Sequence, residues 1–142
     1  MRKIFLCLFI VFLLASFLSI NLSKVFASSY TSFYLLQSGS YNSLSEARSD
    51  FNNIDNKLIL YENNSYNVYL GVSLSLSNIN LMKKKYNNGY SFYVKELYTD
   101  NKKFIKNMKS FDYMLKFSKR ENMDSIISIM LSYYEENFNY LK

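Results

Sequence analysis

Gln37-Ser38-Gly39-Ser40-Tyr41 closes an apolar run, Ser32-Phe33-Tyr34-Leu35-Leu36, and leads into a helix signal. Its layout returns in Tyr66-Asn67-Val68-Tyr69-Leu70-Gly71. Gly39 is followed, four residues on, by Ser43-Leu44-Ser45, and Gly71, four residues on, by Ser75-Leu76-Ser77. Upstream, Tyr34 and Leu36 align with Tyr66 and Val68. The period is about 32 residues, the size of a strand-helix-strand unit used twice. Gly39 and Gly71 read as backbone devices that turn strand into helix.

The remaining elements follow from this frame. Ser32–Ser38 reads as a strand. Ser43-Leu44-Ser45-Glu46 is a capping box, in which the serine hydroxyl caps amides and the glutamate reaches back. Leu44, Ala47, Phe51 and Ile54 follow at helical spacing, and the helix dissolves near Asn52-Asn53. Lys57–Tyr61 and Tyr66–Leu70 read as strands joined at Asn63-Asn64, because asparagine tolerates left-handed backbone angles. A second helix carries Leu76, Ile79, Met82 and Tyr86 and breaks at Asn87-Asn88-Gly89, and Tyr90–Leu97 is a fourth strand. The fold class is α+β. The order βαββαβ is the ferredoxin-like, or RNP-like, arrangement. Two helices on one face of a four-stranded antiparallel sheet leave the other face open.

Successive strand side chains point to opposite faces. With Tyr34, Leu36, Tyr66 and Val68 toward the helices, the open face carries Gln37, Asn67, Tyr69, Ser91 and Tyr93. Rings beside amides suit a flat ligand that is stacked upon and hydrogen-bonded at its edges.

Residues 1–27 read as export apparatus. Arg2 and Lys3 precede an apolar run from Ile4 to Ile20, and positive charge on that side orients the amino terminus to the cytoplasm. The strict run is roughly 17 residues, about 25 Å as a helix, and extension to Phe26 reaches spanning length. Val25-Phe26-Ala27 also fits a cleavage site. The expectation is a single-pass membrane protein held in the cytoplasmic membrane by residues 4–26, its C-terminal domain outside. The alternative is secretion after cleavage near Ala27.

Composition narrows the chemistry. Histidine is absent and Cys7, inside the apolar run, is the one cysteine. The commonest general base, the usual zinc ligand and any disulfide are therefore excluded. No cofactor or metal site is expected. Arg2, Lys3 and Lys24 supply three charges of the net +6, leaving the rest mildly basic, so no nucleic-acid partner is expected.

Residues 98–142 read as a helical hairpin. Phe104, Met108, Phe111 and Leu115 form one stripe, with Lys102, Lys106, Lys109 and Lys116 on another side. Ser118-Lys119-Arg120-Glu121 reads as a second capping box. Met123, Ile126, Ile127, Met130, Leu131, Tyr134 and Phe138 form a longer stripe. These faces pack on each other, on the preceding domain, or on a partner protein.

At Gln37-Ser38-Gly39-Ser40-Tyr41, Ala47 and Tyr66-Asn67-Val68-Tyr69-Leu70-Gly71, the chain resembles the SPOR (sporulation-related repeat) domain over roughly residues 30–97. The resemblance implies binding to peptidoglycan glycan strands stripped of stem peptides, at division or sporulation sites. It carries glycan contacts over to Gln37 and Ser40, and Asn67 stands where the family has arginine. Asn67, Tyr69 and Tyr93 join the candidate site by strand parity. The reading is a non-catalytic binding module of three parts: residues 1–27, a domain at 30–97 and an extension at 98–142. The alternatives are a cell-wall enzyme, for which no paired carboxylates stand out, and an RRM-like nucleic-acid-binding module, whose topology is shared.

Overall fold

Asn63 and Asn64 take φ of 52° and 62°, the left-handed pair that a two-residue hairpin turn requires. They fold strand β2 (Leu58–Glu62) back onto β3 (Ser65–Ser73), with Glu62 opposite Ser65 and Leu58 opposite Tyr69. The computed structural model describes residues 30–86 and 89–138, together with Ser16. The other elements are β1 (Thr31–Tyr41), α1 (Leu44–Asp50), α2 (Leu76–Lys85), β4 (Tyr93–Thr99), α3 (Lys102–Phe117), a 3-10 turn (Arg120–Asn122) and α4 (Met123–Phe138). The sheet is antiparallel with order β2-β3-β1-β4, consistent with the ferredoxin-like arrangement. The expected membrane segment at residues 4–26 lies outside the described residues apart from Ser16. Among the described residues, no helix is long and apolar enough to cross a membrane. From Ser32 onward the chain forms one compact unit. Its buried apolar side chains run from Phe33 to Tyr134, so this unit carries its own core.

The repeat glycines do a different job from the expected one. Gly39 and Gly71 both lie within strands, and neither has a positive φ. What they supply is space. A Cβ on Gly39 would come within 2.5 Å of the Tyr41 ring, and one on Gly71 would overlap the Met82 sulfur of α2. β1 therefore continues through Gly39 to Tyr41, with register irregularities on either side of Gln37. The first helix starts where the capping box places it, with Ser43 Oγ accepting from the Glu46 amide at 3.2 Å. It ends at Asp50, short of Ile54.

One sheet face packs as alternation requires. Tyr41 meets Phe51 at the end of α1 edge-on, centroids 6.2 Å apart, and Gly71 abuts Met82 of α2. The other face is not open. Phe33, which alternates against Tyr34 and Leu36, packs its ring on Phe104 of α3 (5.3 Å) and on Tyr134 (6.0 Å) and Phe138 (5.3 Å) of α4. β3 is buried from Asn67 to Ser73 without alternation, as a strand must be when both of its faces are covered. The stripe at Ile127, Met130, Leu131 and Tyr134 supplies this second cover. Two-helix coverage follows from the βαββαβ order alone. It fails because a 16-residue apolar helix gains more by burial on exposed sheet than by facing water.

α3 and α4 pack on each other through stacked Phe104 and Tyr133 and through Asn107 Nδ2, which donates to the Tyr133 hydroxyl at 2.8 Å. Asp112 fixes α3 to the end of β3. Its carboxylate accepts from Ser73 Oγ (2.5 Å), the Leu74 amide (2.9 Å) and Asn78 Nδ2 (3.0 Å). The expected capping box at Ser118 does not form. Ser118 Oγ instead donates back to the Leu115 carbonyl at 2.9 Å, and the 3-10 turn intervenes before α4.

Candidate functional site

The α4-covered face keeps a polar margin, and most of the sequence-derived candidates lie along it. Gln37 of β1 donates through Nε2 to Asn67 Oδ1 of β3 at 3.1 Å. Asn67 Nδ2 reaches the Glu62 carbonyl of β2 at 3.5 Å. Ser40 Oγ pairs with Ser65 Oγ at 2.9 Å, and Ser65 in turn donates to the Glu62 carbonyl at 3.1 Å. A continuous row of amides and hydroxyls thus crosses the sheet from β1 through β3 to the end of β2. Alternation along β3 puts Asn67 and Tyr69 on one face, and the irregular register of β1 around Gln37 sets Gln37 opposite Tyr69 and Ser40 opposite Asn67, so all four share the face turned from α1.

The five candidates differ in access. Ser40 is exposed and Gln37 half-buried, while Asn67 is only 7% exposed. Tyr69 is fully buried, which corrects its expected place on an open face, where the sequence put Asn67 as well. Tyr69 donates its hydroxyl to Glu62 Oε2 at 2.8 Å beneath α4. Burial pushes the Tyr69 phenol well above its ordinary range, and the hydrogen bond to Glu62 adds to the shift. Tyr93 is 65% exposed and alternates in phase with Lys95 and Leu97 on β4. Ser91 is also exposed, and its carbonyl accepts from Ser38 Oγ at 3.3 Å.

Next to this row lies a cleft of about 540 Å³ bounded by Phe33, Leu60, Leu97, Tyr98, Tyr134 and Phe138, with Glu62 and Lys95 at its polar side. That volume falls within the range of small-ligand sites. Lys95 Nζ stands 3.5 Å from Glu62 Oε2, both side chains being partly exposed. The pair is screened and contributes little stability, but it places a cation and an anion together beside aromatic walls. Tyr134, on α4 itself, has its phenol raised to about 12, by burial first and then by the Glu62 charge.

Glu62, Lys95 and Ser65 were not singled out from sequence. The signals were present: Glu62 directly precedes the Asn63-Asn64 turn and so faces Ser65, and Lys95 shares parity with Tyr93. The partners that make Glu62 notable, Tyr69 and Lys95, are brought to it only by tertiary structure. Among the described residues, no group of three or more His, Cys, Asp or Glu is placed to hold a metal. No family model matches the chain, and neither a curated protein nor a solved structure is significantly similar to it.

Proposed function

We propose that this chain is a non-catalytic module that binds peptidoglycan glycan strands, with the sugars laid along the margin formed by Gln37, Ser40, Asn67 and Tyr93. The observation that carries the reading is the continuous row Gln37–Asn67–Glu62, with Ser40 and Ser65 beside it, running across three strands next to an aromatic-walled cleft and on the face of the exposed Tyr93. Amide and hydroxyl groups hydrogen-bond sugar hydroxyls, and a phenol ring stacks on a sugar face. The motif resemblance to SPOR domains supports the choice of peptidoglycan, and of strands lacking stem peptides, among carbohydrates.

Because α4 covers the sheet centre, the glycan contacts its margin, and Tyr69 acts from beneath by holding Glu62. A glycosidase places two carboxyl groups across the scissile bond. Among the described residues lining the cleft the one carboxylate is Glu62, already engaged by Tyr69 and Lys95, which favours binding over hydrolysis. In this reading residues 4–26 hold the module at the cytoplasmic membrane, facing the wall. The test is co-sedimentation of the purified chain with sacculi before and after amidase treatment. Binding that rises as stem peptides are removed, without glycan release, is the expected result. Binding that does not rise overturns the proposal, and release of glycan by the protein alone points to an enzyme.

A further inference from the structure

Residues 102–120 hold seven of the chain's seventeen Lys and Arg and one of its eleven Asp and Glu. This stretch alone carries a net charge of +6, while the ten Lys and Arg elsewhere in the chain are balanced by ten Asp and Glu. The one acid, Asp112, is turned inward to Ser73 and Asn78. Lys102, Lys103, Lys106, Lys109, Lys116, Lys119 and Arg120 are all exposed. Among the described residues, the ion pairs are Lys85–Asp124 and Lys95–Glu62, and neither draws on this stretch.

The same helix exposes apolar rings. Tyr113 is 67% and Phe117 66% exposed, with Met114 at 45% beside them. At 100° per residue, Lys102, Lys106, Lys109, Tyr113, Lys116 and Phe117 fall on one side of α3, opposite the buried Phe104, Met108 and Leu115. The two rings pack on each other, centroids 4.7 Å apart, so they form one apolar patch at the C-terminal end of the row. Lys116 Nζ lies 5.6 Å from the Phe117 ring centroid.

We infer that the outward face of α3 is a docking surface for an anionic lipid bilayer, independent of the sugar-binding margin. Lysines flanking exposed rings are the pattern of interfacial helices: the cations meet the headgroups and the rings enter the acyl boundary. Lysine dominates over arginine six to one in the stretch, which suits a diffuse anionic surface better than the planar fork contacts used on individual phosphates and bases. The orientation places α3 along the membrane plane, with Phe117 and Tyr113 as the inserted end.

The test is vesicle flotation with residues 28–142, whose core is complete without the preceding apolar run. The vesicles are pure phosphatidylcholine, or phosphatidylcholine with about a third phosphatidylglycerol. Binding is expected only to the anionic vesicles and is expected to weaken with salt. Near-surface lysines contribute about fivefold each, so combined Lys106→Gln, Lys109→Gln and Lys116→Gln lowers the partition coefficient roughly a hundredfold. Tyr113→Ser with Phe117→Ser lowers it while leaving lysine charge intact. Circular dichroism of each variant confirms an unchanged fold. Three results would overturn the proposal: equal binding to both vesicles, insensitivity to the ring substitutions, or polyphosphate or single-stranded oligonucleotide binding as tight as vesicle binding.

Discussion

Tyr69→Phe probes the covered face directly. The substitution keeps the ring, leaves no cavity and removes one hydroxyl that donates to Glu62 Oε2 at 2.8 Å. Hydrogen bonds to charged partners contribute about 1.5–3 kcal/mol. Glu62 keeps Lys95 and some solvent access, so the lower end, about 1.5 kcal/mol, is expected at pH 7. That corresponds to a Tm lower by roughly 6–12 °C in a unit of this size. The difference depends on pH with a definite sign. Burial raises the folded-state pKa of Tyr69 above its unfolded value of 10.0. The contribution of the protonated phenol is thus complete below pH 10 and is lost as pH rises above it. Ionisation in the unfolded chain removes about 0.4 kcal/mol at pH 10 and about 1.4 kcal/mol at pH 11 from the parent, and nothing from the phenylalanine variant. The two stability curves should therefore converge near pH 11. Urea titrations monitored by circular dichroism at several pH values measure this. Equal stabilities at every pH would mean that the Tyr69 hydroxyl is exposed to water and that α4 does not cover it.

Other substitutions test separate joints of the fold. Asp112→Ala removes the carboxylate shared by the Leu74 amide, Ser73 and Asn78, leaving Ser73 the Ser75 carbonyl and Asn78 the backbone carbonyl of residue 112, and should cost about 1–3 kcal/mol by urea unfolding; a loss below about 0.5 kcal/mol would contradict the role given to Asp112. Gly71→Ala drives a methyl group into Met82 and should cost about 1–3 kcal/mol, whereas the same change in a Met82→Ala background should cost measurably less, a coupling read from a double-mutant cycle. Phe33→Ala removes the ring shared by Phe104, Tyr134 and Phe138 and should cost about 3–5 kcal/mol. Asn64→Ala forces alanine into a left-handed conformation and should cost about 1–2 kcal/mol, while Asn64→Gly should be close to neutral.

How far the sequence carried depended on whether a feature was local. The capping serine at Ser43, the Asn63-Asn64 turn and the two-residue alternation are decided by neighbours in the chain, and they were legible. So was the parity that puts Gln37 and Asn67 on one face, which the hydrogen bond between them shows directly. The cover provided by α4 was not legible, because an apolar stripe at Ile127, Met130, Leu131 and Tyr134 does not say which surface it lies on. The two glycines misled for a related reason. Glycine after an apolar run suits a hinge and a tight contact equally, and only the positions of Tyr41 and Met82 decide between them. Glu62 was visible only as a charge at a strand end. Its importance comes from Tyr69, seven residues away, and from Lys95 on the opposite edge strand.

The proposed glycan-binding margin is tested most directly by titrating soluble, peptide-free glycan strands into the parent and into Tyr93→Ala and Ser40→Ala, with Tyr113→Ser on α3 as the control. Tyr93 and Ser40 are exposed, so their replacement leaves the core intact. A lost stacking ring weakens binding about three- to tenfold, a lost hydroxyl contact about two- to tenfold, and the control is unchanged. Equal affinities across all four proteins, or no binding by the parent, would contradict the assignment of the Gln37–Asn67 margin as the sugar-contacting surface.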